Sequence, residues 1–471
     1  MAQKMNTQKW DEEADIIVIG SGFAGLAAAI EAKIAGSSVF VLEKMKGYGG
    51  NSTISDGVMA AAGTTMQADR GIEDSPQLMY ADMLKAGLGL NHPELVRTVT
   101  EASNDVYRWT VDYLGVKYLD RVDQFGGHSV ARGYTTHNRS GSAIIKQSLL
   151  KLKELGVPIR TKVFLQRILK DSDGRVCGVR VHEGYTYPDE NSGVPKTIRA
   201  RKAVILATGG FANDIVFRTS QDPRLTHEIK STNKYSTTGE ALREAIRMGA
   251  MPIQLSWIQL GPWACPDEKG YGIGPDFASY IAYMYGILID PETGKRIANE
   301  LADRKKRADA ILEKGHPCLV FADEKGVEVS GYRIEHCLKK GVVKKFEQID
   351  AVADYYKIPA PAFKDTLETF NSYVENGIDE AFGKPILPNA KPLTHPPYYC
   401  MRVWPKVHHT MGGVLINDNA QVLDLSKKPL RGFYAAGEVT GGVHGASRLS
   451  CCAITDCLVF GRIAGRNAAS D

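Results

Sequence analysis

The run Gly20-Ser21-Gly22-Phe23-Ala24-Gly25 has the residue types and spacing to hold a pyrophosphate. Its first glycine permits a tight turn, the second lets backbone amides reach the phosphates, and the third lets a helix pack closely on a strand. Glu43 stands where a carboxylate can accept both hydroxyls of a ribose. A glycine-rich packing turn would leave that acid unexplained. Gly49-Gly50-Asn51-Ser52 and Asp56-Gly57 follow, offering backbone amides and small polar side chains. They suit an extended flavin dinucleotide, so FAD is favoured over NAD. Glu438 reads either as a holder of the ribityl chain or as a solvated loop residue.

A motif of this kind works only between a strand and a helix. Asp15 to Gly20 is a short apolar run, β-branched in part, that fits a strand buried on both faces; Leu26 to Ala35 is alanine-rich with helical periodicity; Ser37 to Leu42 returns to strand composition. Together they form a βαβ unit. Two more strand-like runs end in glycines: Lys202 to Thr208 leads into Gly209-Gly210, and Gly432 to Ala436 into Gly437-Glu438. Open α/β sheets place ligands in such crevices, and this sheet draws on both ends of the chain. Between Trp257 and Val407 the pattern turns to charged helical stretches, aromatics and prolines. The expected domains are 1–256 and 408–471, which bind the cofactor, and an inserted cap at 257–407.

The chain of 471 residues is 43% apolar, enough to bury a large core in two domains. Its net charge of +4 is spread over the surface, which gives nucleic-acid binding no support. The basic run Lys305-Lys306-Arg307 reads as a solvated helix face. Eight cysteines occur without a C-x-x-C pair, which disfavours haem attachment, an iron–sulfur cluster and structural zinc. Adjacent Cys451 and Cys452 read as reduced packing thiols, with a redox pair as the alternative. No stretch approaches the ~20 apolar residues of a membrane span. Met1 to Trp10 is polar, and Met5 offers a second start. The expectation is a soluble protein, cytoplasmic as it stands or periplasmic if an export signal has been removed.

With those segments in place, the chain resembles the fumarate reductase and succinate dehydrogenase flavoprotein superfamily, most closely its soluble flavocytochrome c branch. The resemblance runs from Asp15 to about Ala469. Its most specific parts are Val407-His408-His409-Thr410-Met411-Gly412-Gly413 and the block from Tyr434 through Arg448 to Leu449. It implies an α/β fold, a Rossmann-type, glutathione reductase-like FAD-binding domain with an inserted α+β capping domain. Several members tether FAD to a histidine where this chain has Gly50-Asn51-Ser52, which implies non-covalent FAD. The resemblance adds Lys44, Val163, Thr208, Asn213, Ser450, Ala453 and Ile454 to the cofactor contacts. It also implies electrons from a separate cytochrome c, FMN-binding module or reductase.

In the resembled enzymes a histidine and an arginine clamp one substrate carboxylate, the flavin passes a hydride to one alkene carbon, and a cap arginine protonates the other. His408 and Arg448 match the clamp, and Arg304 matches the proton donor. Planar guanidinium suits the task, because it grips a carboxylate through two charge-assisted hydrogen bonds. His409 is expected to be structural. Two polar elements of the fumarate reductases are replaced, the second-carboxylate site by Leu260-Gly261-Pro262-Trp263, and a Thr-Glu pair by Ala278-Ser279. Ala282 stands where a relay arginine would. Tyr280 or Asp276 are candidates to replace that relay. Trp257, Trp263, Tyr271, Phe277, Tyr280, Tyr283 and Tyr285 either build core or line an apolar pocket. The expected activity is FAD-dependent reduction of an unsaturated monocarboxylate with a bulky or aromatic β-substituent, Gly261, Trp263, Ser279 and Tyr280 lying on the substrate side. Fumarate or another small dicarboxylate, the reverse dehydrogenation, and an electron-transfer subunit are the alternatives.

Overall fold

A computed structural model describes residues 9–471; the reading of Met1 to Trp10 falls, for its first eight residues, outside them. The chain divides into two compact units, one of residues 9–224, 234–258 and 409–471, the other of 225–233 and 259–408. The segment 225–233, which sequence patterning groups with the cofactor domain, belongs to the second unit.

The first unit is built on an eight-stranded sheet. Strands β1 (Glu12–Ile19), β2 (Val39–Glu43), β3 (Ile159–Thr161), β4 (Val163–Lys170), β5 (Val176–Glu183), β6 (Val194–Leu206), β7 (Gln421–Leu423) and β8 (Pro429–Ala435) compose it. The order β7-β8-β6-β1-β2-β3 runs across the sheet, with β4 and β5 attached through β6. Strand β1 lies parallel between β2 and β6, pairing Ile16 with Val39 and with Ala203, so Ile16 to Val18 are fully buried. Apolar side chains on both faces of one strand are what such a position demands. The strand starts at Glu12, earlier than its apolar run, because β6 is long enough to recruit Glu12 to Ala14. Arg201 then pairs with both Glu13 and Asp15.

Helix α1 (Phe23–Ile34) is buried along most of its length. Its alanines admit the C-terminal helix, Cys452–Ser470, at backbone contact. A Cβ at Gly461 would lie 2.5 Å from the Ala24 carbonyl oxygen, and one at Gly465 2.2 Å from that of Ala28.

The second unit holds a four-stranded antiparallel sheet, Ile287–Ile289, Cys318–Asp323, Tyr398–Val403 and Lys344–Phe346 in that order. Phe321, Phe363 and Phe370 fill the core between it and helix Ala360–Asn376. Helix α2 (Arg304–Lys314) begins where Asp303 accepts a hydrogen bond from the Lys306 amide. The loop before it is pinned by buried Glu300, which takes the Leu288 amide and the Arg296 guanidinium, with Lys384 at 3.6 Å. Arg296 also grips Asp379. Arg304 therefore starts a helix whose entry point is anchored by buried ion pairs. Among the described residues no helix is long and apolar enough to cross a membrane, and all eight cysteines are thiols.

Candidate active site

A groove at the carboxyl ends of β1, β2 and β6 encloses about 980 Å³ of empty space, counting its open mouth. It is lined by Gly20, Ser21, Gly22, Ala24, Glu43, Lys44, Gly50, Asn51, Ser52, Val163, Thr208, Gly209, Gly437 and Glu438, as expected, and also by Phe164, Ser236, Thr237, Thr238 and Cys457. Gly25 stands behind it: a Cβ there would lie 2.0 Å from the Gly20 carbonyl oxygen, so the helix–strand approach needs glycine. Ser52 accepts the Phe23 amide, satisfying one open N–H at the start of α1. Glu43 accepts the hydroxyl of Ser21 at 2.6 Å and the Met45 amide at 2.9 Å. At Gly50 and Gly209, both at positive φ, nothing stands within 4 Å of a would-be Cβ. Backbone stripped of side chains along an open groove fits an extended dinucleotide, with Glu43 for a ribose and the amides after β1 for the pyrophosphate.

Other expected cofactor residues lie outside that lining. Gly57 turns at positive φ against Thr136 and Ser140. Gly210 sits behind Glu438 and Thr410, either of which a Cβ would strike. Asn213 holds the loop that presents Thr237, through its amide to the Thr237 carbonyl and its side chain to Lys234. Ala453 and Ile454 open the C-terminal helix. The Ser450 carbonyl accepts from His128 Nε2 at 2.7 Å.

Glu438 is half-buried, and desolvation raises its carboxyl to about 7, against the lowering effect of the Thr410 amide and the Arg448 charge. Its Oε1 lies 2.9 Å from that amide and 3.5 Å from His409 Nδ1. His409 in turn packs edge-on against His444, which meets Asp456 at 3.2 Å. Arg448 is buried and donates to the Leu449 carbonyl. The segment after it rests on His128, which is held neutral by burial, its value lowered to about 4. The imidazole sits against Arg132, itself clamped by Asp74 and Asp82.

In the second unit, Trp263 brings the expected residues together. Its indole meets His408 edge-on, centroids 4.9 Å apart, and the Arg304 guanidinium lies 4.5 Å over its face. Arg304 also donates to Gln259 Oε1 at 3.3 Å. A Cβ at Gly261 would come within 3.2 to 3.4 Å of the indole, so the ring lies across that glycine. His408 Nδ1 is 2.8 Å from the Thr232 hydroxyl. The Val407 carbonyl already takes the Thr232 amide at 2.9 Å and the Ser231 hydroxyl at 3.0 Å, and Asn233 donates to the Thr232 oxygen. The Thr232 hydroxyl also lies 3.4 Å from the Val407 carbonyl; when it donates to Nδ1 instead, a neutral His408 carries its proton on Nε2.

Of the remaining aromatics, Trp257, Tyr271 and Tyr285 are half-buried, Tyr271 with its ring centroid 6.1 Å from that of His408, and the other three are core. Phe277 and Tyr283 are fully buried, and Tyr280 stacks on Tyr332 at 4.4 Å. Ser279 lies in the same helical turn, and Asp276 pairs with His336. The basic run does not share one solvated face: Lys305 and Lys306 pair with Asp309 and Asp303 near solvent, whereas Arg307 is buried. Thr232, Asn233 and Gln259 carried no sequence signal, because a polar residue is informative only once its partner across the fold is known. The loop Ser236-Thr237-Thr238-Gly239 was findable, since small polar residues ending in glycine commonly form binding turns.

These features define an FAD-dependent oxidoreductase. A family profile described as "FAD binding domain" matches residues 15–454, and the chain belongs to that family. It is 42% identical over 475 residues to the acrylate reductase flavoprotein subunit of Shewanella woodyi, covering 99% of this chain and 93% of that one. To the urocanate reductase of Eggerthella lenta it is 34% identical, covering 97% and 75% respectively. The solved structure of the open conformation of a flavocytochrome c3 fumarate reductase matches with a TM-score of 0.79 and 33% identity, over 98% of this chain and 79% of that one.

Proposed function

We propose that this chain reduces the carbon–carbon double bond of a small α,β-unsaturated monocarboxylate of the acrylate type. The observation that carries the reading is the position of Trp263: its buried ring touches both His408 and Arg304 and lies over Gly261, in the segment where the fumarate reductases hold a second carboxylate. An apolar ring there offers a dicarboxylate no charge-assisted bond, and stranding a carboxylate costs several kcal/mol, on the order of 3 to 5. The bulk of the indole, with Phe277, Tyr280 and Tyr283 committed to the core, favours a small substrate over one with an aromatic β-substituent.

Bound FAD supplies the hydride. His408 presents Nε2–H to a carboxylate oxygen, and Arg448 supplies a second donor to the same group. Withdrawal of charge into the carboxylate makes the β-carbon electrophilic. Arg304 delivers its Nη proton to the α-carbon, and Trp263 keeps water from that guanidinium, strengthening its field. Electrons reach the flavin from a donor protein or module.

The test is anaerobic oxidation of reduced methyl viologen across acrylate, methacrylate, fumarate, itaconate, urocanate and hydroxycinnamates. Turnover of acrylate or methacrylate with fumarate inert is expected. Turnover of fumarate alone would overturn the assignment drawn from Trp263; turnover of urocanate or a cinnamate alone would restore the bulky-substituent reading.

A further inference from the structure

The second arginine of α2, Arg307, has no assigned task, and its surroundings are unusual. It is 6% exposed, and its guanidinium lies 4.6 Å over the ring of Tyr283. Its Nε has no hydrogen-bond partner among the described residues. Asp303 and Glu300 act on it only through space. Asp303 is engaged in capping the helix, and Glu300 is taken by Arg296 and Lys384. A buried cation left in that condition is costly.

The location explains what it does there. Residues three apart on a helix are neighbours, their Cβ atoms ~5–6 Å apart, so Arg307 stands one turn behind Arg304. Both guanidinium groups lie on aromatic faces, Arg304 on Trp263 and Arg307 on Tyr283. The two rings are tied together, because the Tyr283 hydroxyl donates to the carbonyl of Pro262 at 2.9 Å. Tyr283 follows Ala282, the position at which the resembled fumarate reductases carry their relay arginine.

We propose that Arg307 is a positioning residue for the reaction: a second guanidinium that α2 supplies in place of the one missing at 282, whose charge weakens the hold of Arg304 on its proton. The inference rests on the proposed enoate reduction. A like charge on the neighbouring turn lowers the proton affinity of the first, and partly buried charges are screened less than exposed ones. That answers the difficulty of an arginine acid, which in water keeps its proton to beyond pH ~12. Burial also lowers Arg307 from its ordinary value, so the pair as a whole favours losing one proton. The groups acting on Arg307 are Tyr283, Asp303 and Glu300, with Arg304 three residues before it on the same helix.

The test compares the FAD-loaded parent with Arg307→Met, Arg307→Lys and the double variant Arg307→Met/Ala282→Arg, using acrylate and reduced methyl viologen. In Arg307→Met, kcat is expected to fall about thirtyfold with KM within about threefold, the alkaline limb of its pH profile to move upward, and the solvent deuterium effect to rise. Arg307→Lys should keep most of the activity, and Ala282→Arg should restore about tenfold of the loss. An Arg307→Met enzyme with the parent's kcat and pH limb overturns the proposal. So does an equal loss in the Lys and Met variants with a lowered melting temperature, which is what a packing role gives. A parent that reduces none of the acids counts against the proposed function, whereas a parent matched by Arg307→Met counts against Arg307 alone.

Discussion

A neutral histidine can donate to a carboxylate through only one nitrogen, and a Thr232 hydroxyl that donates to Nδ1 of His408, 2.8 Å away, selects Nε2 for that task. In Thr232→Val that selection is lost, so kcat/KM is expected to drop about tenfold, mainly through KM, with FAD retained; Thr232→Ser should restore it, as steady-state kinetics would show. Arg304→Ala and Arg304→Lys should abolish reduction while leaving the flavin spectrum intact, and activity within threefold of the parent would remove the proposed donor. Glu438 supplies a pH test. Its folded carboxyl holds a proton up to about 7, against 4.5 for an ordinary glutamate. The folded state therefore gains a proton within that window, and stability falls as pH rises from 4.5 to 7. Above it the ionised, desolvated carboxylate imposes its full cost, on the order of 3 kcal/mol. Glu438→Gln apoprotein should accordingly outlast the parent in urea at pH 8 and show no such advantage at pH 4.

At the scale of elements, the sheet was readable because its strands are apolar on both faces, and α1 because alanine repeats with helical period. The polar start of β1 was not, since Glu12 to Ala14 pair only through an extension of β6 that local composition does not announce. Gly20 and Gly25 were legible as close-approach positions for a similar reason: a Cβ would meet the Ala207 carbonyl oxygen at 2.3 Å and the Gly20 carbonyl oxygen at 2.0 Å respectively. Arg307 was misread because charge alone suggests solvent, whereas its partner is the face of Tyr283. The C-terminal helix carries the same backbone logic as the cofactor turn. Gly465→Val would drive a side chain into the Ala28 carbonyl, 2.2 Å from a Cβ. A loss of about 3 kcal/mol or more in chemical denaturation is expected, with weaker FAD binding because α1 carries the phosphate turn.

Across the whole molecule, the chemistry is divided by chain segment. The cofactor groove, Glu438 and Arg448 belong to the first unit; Arg304, Trp263, Gln259 and His408 belong to the second. Arg448→Ala should consequently raise KM and lower kcat without altering flavin content, which separates substrate grip from cofactor grip. Composition suggests an insertion at 257–407, whereas the second unit also takes in residues 225–233: nothing in their local sequence marks them, and their membership rests on bonds to Val407 and His408 far along the chain. That crossing has a bearing on genetic exchange between relatives. A cap transplanted as the single cassette 259–408 would bring the new His408 but leave the old Thr232 and Asn233 behind, so such chimeras should bind FAD yet turn over poorly unless both stretches are inherited together.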